Sequence, residues 1–105
     1  MKFTTKDYNN MAAEAIFDNA MEELRQIRNE DDVVYRLRSC QAWVYVTDNY
    51  YILRSYNTYI AAIERFSGQA ADVLRKVYGY TATSAQHVSK FFHDYPVTKS
   101  YRWYY

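Results

Sequence analysis

The sequence predicts an α+β domain: a long N-terminal helix, an antiparallel meander sheet of three or four strands, a C-terminal helix and an aromatic tail. Three observations predict it. Apolar residues recur at helical spacing through the first quarter of the chain, and β-branched and aromatic runs broken by short polar turns fill the middle. A helix-start signal and a second apolar stripe then precede Pro96. At 105 residues the chain is one domain by length, large enough to bury a core without disulfide or metal staples.

The first helix is expected from Thr4 to Arg28. Thr4 or Thr5 caps it, and Asp7 places negative charge in the first turn, where the helix dipole favours it. Met11, Ala15, Ala20, Leu24 and Ile27, with Tyr8, Ala12, Ile16 and Phe17 beside them, form an apolar stripe that broadens into one buried face. Glu14, Asp18, Glu22 and Glu23 gather away from much of it as an acidic outer surface. Four polar residues, Asn29 to Asp32, interrupt the pattern.

Val33 to Ser39 fits either a last helical segment or a first strand. AWVYV (Ala42 to Val46), the turn Thr47 to Asn49 and the run beginning at Tyr50 read as a hairpin. Its second arm is expected to continue through Tyr59, Ala61 and Ile63, with a bend or bulge at Asn57, the residue there that best tolerates unusual backbone angles. Ser67 and Gly68 make the next turn. Alternation in AADVLRKVYGY (Ala70 to Tyr80) favours a strand closing the meander over a helix.

Thr83 and Gln86 have capping-box spacing, so the second helix is expected to start at Ser84, bury Val88, Phe91, Phe92 and Tyr95, and stop at Pro96. Gly79 would let the strand end approach another element or take a backbone angle closed to other residues. Tyr78 to Phe92 thus reads as a strand-to-helix joint, and both helices are expected on one face of the sheet.

Composition excludes several classes of function. No apolar run approaches the roughly 20 residues that span a bilayer, and the opening MKFTTKDYNN lacks the apolar stretch of a secretory signal, so no membrane partner is expected and the cytosol is the expected compartment. Cys40 is the single cysteine, expected as a small buried side chain. His87 and His93 stand six residues apart, about 120° off in direction on a helix, against the i, i+4 spacing of a metal pair. Gly68 and Gly79 are the only glycines, leaving no phosphate-binding loop, and no spacing ties Ser84, Ser89, Asp94, Cys40 and the histidines into a nucleophile with its base. No catalytic residue, metal site or cofactor is expected.

Binding has more support. Net charge is +1, but residues 1–50 hold six Lys/Arg against nine Asp/Glu (6 − 9 = −3) and residues 51–105 hold seven against three (7 − 3 = +4). Such asymmetry ordinarily serves solubility, although it suits a charged partner or head-to-tail self-contact. Arg54, Arg65, Arg75 and Lys76 stand among Tyr56, Tyr59 and Tyr78, the mixture that stacks on bases and neutralises phosphates. The tail residues Tyr101, Arg102, Trp103, Tyr104 and Tyr105 are of the types that dominate interface energetics. Their first expected role is to form an edge strand or to close the sheet's open face within the chain itself, and their second an interface with a second copy or another protein.

LRSYNTYIAAI (Leu53 to Ile63) followed by DVLRKVYGYTATSAQHVSKFFHDY (Asp72 to Tyr95) resembles a group of small proteins from bacteriophages, prophages and other mobile elements of gut bacteria. The resemblance spans Leu53 to Tyr95 and implies a mobile-element origin while leaving the chemistry open. The leading expectation is therefore a non-enzymatic protein-binding module acting on a host or phage protein, concretely a stoichiometric inhibitor of a host defence nuclease in the manner of an anti-CRISPR protein. Trp103 and Tyr104 would be its anchors, and Glu14, Asp18 and Glu22 could enter a basic channel. A small nucleic-acid-binding regulator using Arg54, Tyr56, Arg65, Arg75 and Lys76 is the second reading, and a homo-oligomeric structural protein the third.

Overall fold

A computed structural model describes residues 4–29, 32–79 and 81–103. The elements run α1 (Thr5–Arg25), β1 (Val34–Arg36), β2 (Ala42–Val46), β3 (Tyr50–Ser55), β4 (Thr58–Glu64), β5 (Gln69–Asp72), α2 (Leu74–Val77), α3 (Ala82–Asp94) and β6 (Lys99–Arg102).

Thr4 caps α1 in a reciprocal box. Its Oγ1 accepts from the Asp7 N–H at 3.2 Å, and the Asp7 carboxylate accepts from the Thr4 N–H at 2.9 Å. That backbone hydrogen bond, with the Thr4 hydroxyl, holds the Asp7 carboxyl below its ordinary range. The helix closes three residues earlier than expected, where the Gln26 N–H turns back to the Glu23 carbonyl. Ala13, Ile16, Phe17, Ala20 and Leu24 are buried, but Tyr8 and Met11 are 59% and 55% exposed, so the stripe is narrower at its N-terminal end than the spacing implied.

The sheet has six strands in the order β1-β2-β3-β4-β5-β6, not three or four, and it is mixed. Successive strands pair antiparallel through β5, while β6 pairs parallel to β5. The parallel pair follows from α2 and α3, which carry the chain back across the sheet before β6 begins. Val34–Arg36, left open by the sequence, is the edge strand β1.

The expected long second arm is two strands. Ser55 pairs with Thr58 across a two-residue turn, and the left-handed φ of 53° falls on Tyr56 instead of Asn57. Register slips between Leu53 and Arg54, so the β3–β4 pair also carries a bulge.

The closing strand is shorter than expected. The Asp72 carboxylate accepts from the Leu74 N–H at 3.1 Å, a side-chain turn that takes the chain out of the ladder and into α2. Tyr78 to Phe92 is therefore a helix-to-helix joint, with Gly79 at φ +86° between the helices. Thr81 caps α3 by accepting from the Ser84 N–H at 3.2 Å, so the helix starts at Ala82, two residues before the expected start.

The two long helices lie on opposite faces, correcting the expectation of one shared face. Tyr45, Ile52, Ala62 and Ala71, aligned across β2 to β5, pack with Ala13, Ile16, Phe17 and Ala20 of α1. Val44, Leu53, Ala61, Ile63 and Ala70 pack with Val88 and Phe91 of α3 and Leu74 of α2. β4, covered on both sides, buries four consecutive residues, Ile60 to Ile63. Phe91 is fully buried, a side chain whose burial stabilises by about 1.5–3 kcal/mol.

Candidate functional site

The residues singled out in the sequence separate into structural clamps and one convergent surface. His87 and Ser84 of α3 meet Ser55 at the end of β3: the Ser55 hydroxyl lies 2.7 Å from His87 Nδ1 and 3.1 Å from Ser84 Oγ. All three are buried, and the Tyr56 ring lies 5.7 Å from the imidazole. Burial, followed by the nearby Lys90 charge, pushes the imidazole below its ordinary pKa and keeps it neutral near pH 7. The network ties the β3–β4 turn to α3 and borders none of the molecule's described cavities.

His93 stands apart at the exposed end of α3, 3.2 Å from Asp94. Asp94 takes two hydrogen bonds from Arg38, at 2.6 and 2.8 Å, and that guanidinium, with His93, holds its carboxyl far below the ordinary range. Cys40 is half-buried, and its Sγ accepts from Lys90 Nζ at 3.2 Å. Among the described residues no group of three or more His, Cys, Asp or Glu side chains is placed to hold a metal ion, and no helix is long and apolar enough to cross a membrane.

The four basic candidates do not share a face. Arg54 stacks over Trp43 at 4.8 Å and Tyr45 at 5.5 Å on the α1 side of the sheet. Tyr56 sits in the β3–β4 turn. Arg65, beyond the far end of β4, donates to the Thr47 carbonyl at 2.6 Å and lies over Tyr51, which fixes the β2–β3 turn. At ~3.3 Å per strand residue, β4 alone sets Arg54 and Arg65 ~20 Å apart. Arg75 and Lys76, about 100° apart on α2, diverge: Arg75 lines a groove beneath α3, and Lys76 reaches α1.

The acidic candidates stay along one side of α1 at four-residue spacing, two of them in ion pairs. Glu22 pairs with Arg25 at 2.6 Å, Asp18 is exposed, and Glu14 meets Lys76 Nζ at 2.6 Å. Glu23 accepts from the Asn49 backbone and side chain at 2.6 and 3.0 Å. Burial opposes its charge, yet these bonds, Thr47 and Arg65 outweigh it and hold the carboxyl below its ordinary range. The tail forms edge strand β6. Tyr101 and Trp103 pack partly buried against the α1 core, while Arg102 lies 3.5 Å from Asp72. Tyr104 and Tyr105 lie outside the described residues.

Three candidates do converge. Lys76 Nζ touches Glu14 at 2.6 Å and sits 4.9 Å over the Trp103 ring, joining α1, α2 and the end of β6. Met11 lies one turn before Glu14, Tyr8 one turn before Met11, and Val77 and Tyr78 follow Lys76 directly. These four are 55%, 59%, 40% and 49% exposed in that order. No spacing in the sequence joins residues 8, 11, 77 and 78; only the ion pair between α1 and α2 does. Comparison with protein-family models, curated proteins and solved structures finds no match to this chain.

Proposed function

We propose that this chain is a non-enzymatic protein-binding module that meets its partner with the end of the molecule where α1, α2 and Trp103 come together. The Glu14–Lys76–Trp103 junction carries the reading. It ties α1, which carries Tyr8 and Met11, to α2, whose Lys76 is followed by Val77 and Tyr78, so apolar side chains stay exposed on helices that are tied together. Aromatic side chains bind at low entropic cost, methionine adapts to the surface it meets, and both types are enriched in interfaces.

The resemblance to mobile-element proteins supplies the concrete partner class, a host defence nuclease blocked stoichiometrically. Tagged protein is used to capture partners from a host lysate beside Met11→Asp and Tyr78→Asp. Both positions are exposed, and thermal melting checks that both variants fold. One dominant partner lost with both variants, and a nuclease activity that titrates to zero at a fixed molar ratio, is the expected result. A partner retained by both variants overturns the reading.

Nucleic-acid binding has less support. The basic side chains it would need do not share a face and are engaged within the fold, Arg54 over Trp43 and Tyr45, Arg65 on the Thr47 carbonyl and Lys76 on Glu14. A gel-shift series with single- and double-stranded DNA and RNA separates the readings, and light scattering over a concentration series detects self-association.

A further inference from the structure

The face of the sheet opposite α1 holds a second feature, a groove between α3 and the β5–β6 edge. Two cavities of about 280 and 90 Å³ share Asp72, Val88, Ser89 and Arg102 in their walls and so form one recess. A volume near 300 Å³ is at the lower end of small-molecule sites. Leu74, Ala85 and Val88 give it an apolar wall, and Arg75 and Arg102 stand at its charged side.

Asp72 is the unusual member. Its side chain is 15% exposed, yet its ion contact with Arg102 is 3.5 Å, against 2.6 Å for Arg38–Asp94 and Lys76–Glu14. Its other hydrogen bond is the Leu74 N–H at 3.1 Å. Burial raises its pKa despite that N–H and both arginines, so its pairing leaves desolvation incompletely offset. A ligand cation arriving at this carboxylate would complete the pairing.

A simple cation would face two guanidinium groups, and a simple anion would face Asp72. A molecule bearing both charges a few bonds apart satisfies all three. We infer that the groove between α3 and the β5–β6 edge binds a free α-amino acid, with its ammonium on Asp72, its carboxylate against Arg75 and Arg102, and its side chain on Leu74, Ala85 and Val88. Ser89, exposed on α3, borders both cavities and offers a hydroxyl to either charged group.

The test is a titration of the whole protein followed by amide NMR shifts, with L-valine, L-alanine and the remaining proteinogenic amino acids, beside valinamide, which lacks the carboxylate, and isovalerate, which lacks the ammonium. Saturable shifts at Asp72, Leu74, Ser89 and Arg102 with at least one amino acid are expected. For an apolar ligand such as valine, valinamide and isovalerate bind about tenfold or more weakly, because each leaves a charged group unpaired. Asp72→Asn keeps an oxygen for the Leu74 N–H and so its fold, checked by thermal melting, and loses about tenfold or more in affinity. Ser89→Leu, at an exposed helix position, fills the groove and abolishes binding without touching Asp72. The inference falls if no amino acid gives saturable shifts, if valinamide or isovalerate matches valine, or if either folded variant binds as the unaltered protein does.

Discussion

A neutral imidazole sealed beside two hydroxyls makes His87 the residue through which mild acid acts on this fold. Its folded pKa lies below the ordinary 6.5, with burial first and Lys90 second as causes, so the unfolded chain takes up the proton first. The stability it contributes is complete above 6.5 and is lost as pH falls from 6.5 towards the folded value. Urea midpoints measured at about pH 7.5 and about pH 5 are expected to drop for the unaltered protein and to drop less for His87→Asn. Equal drops would remove His87 as the cause, and His93→Asn, at an exposed site, serves as the control. Ser55→Ala strips the imidazole and Ser84 of their shared partner, and about 1–3 kcal/mol of stability should go with it, read from the same unfolding curves.

The joints between elements show why some of the fold was legible and some was not. Local signals worked where the determinant was local: the Thr4–Asp7 cap, the β2–β3 hairpin, the Ser67-Gly68 turn, and Gly79 with its positive φ. They failed where a distant contact or a competing local bond decided the outcome. Asp72 turned the chain out of the sheet and Thr81 took the cap assigned to Thr83, while the bend expected at Asn57 is present with its left-handed angle on Tyr56 beside it. The placement of the helices was legible in part. The uninterrupted apolar run Ile60 to Ile63 marks a strand covered on both faces, and it speaks against two helices sharing one side. Of the candidate site, Trp103, Lys76 and Glu14 could be named from residue type, but their meeting could not, because it depends on how α2 docks on α1.

The two glycines test joint chemistry directly. Both hold positive φ, but a Cβ on Gly68 would meet the Thr98 backbone nitrogen at 2.9 Å, whereas one on Gly79 meets nothing within 4 Å. Gly79→Ala should therefore cost only the backbone term, about 1–2 kcal/mol. Gly68→Ala should cost more, because it also pushes Thr98 from the Gly68 carbonyl and loosens the start of β6. Thermal or urea unfolding ranks the pair, and a larger loss at Gly79 would contradict the packing.

At the scale of the molecule, the two ion pairs between the halves offset one another and leave the lopsided charge as it was, and this bears on how a partner is met. Glu14 of the acidic half takes Lys76 of the basic half, and Arg38 of the first takes Asp94 of the second. Glu14 is engaged by Lys76 and Glu22 by Arg25, which leaves Asp18 as the exposed acidic candidate that α1 offers a basic channel. What the Glu14–Lys76 junction presents instead is Tyr8, Met11, Val77 and Tyr78, and burial of such side chains does not depend on a counter-ion atmosphere. Affinity for the captured partner should thus change by less than about threefold between low and high salt, while Met11→Asp, which puts a charge in place of an exposed apolar side chain, should weaken it by about tenfold or more. A steep fall of affinity with salt would show that the acidic face of α1, and not this end of the molecule, makes the contact. Lys76→Met separates the two contributions further. It removes the cation that ties α2 to α1 while keeping the stem over Trp103, so an interface made by the side chains around this junction weakens at every salt concentration, whereas one made by the acidic face of α1, with Glu14 released, does not.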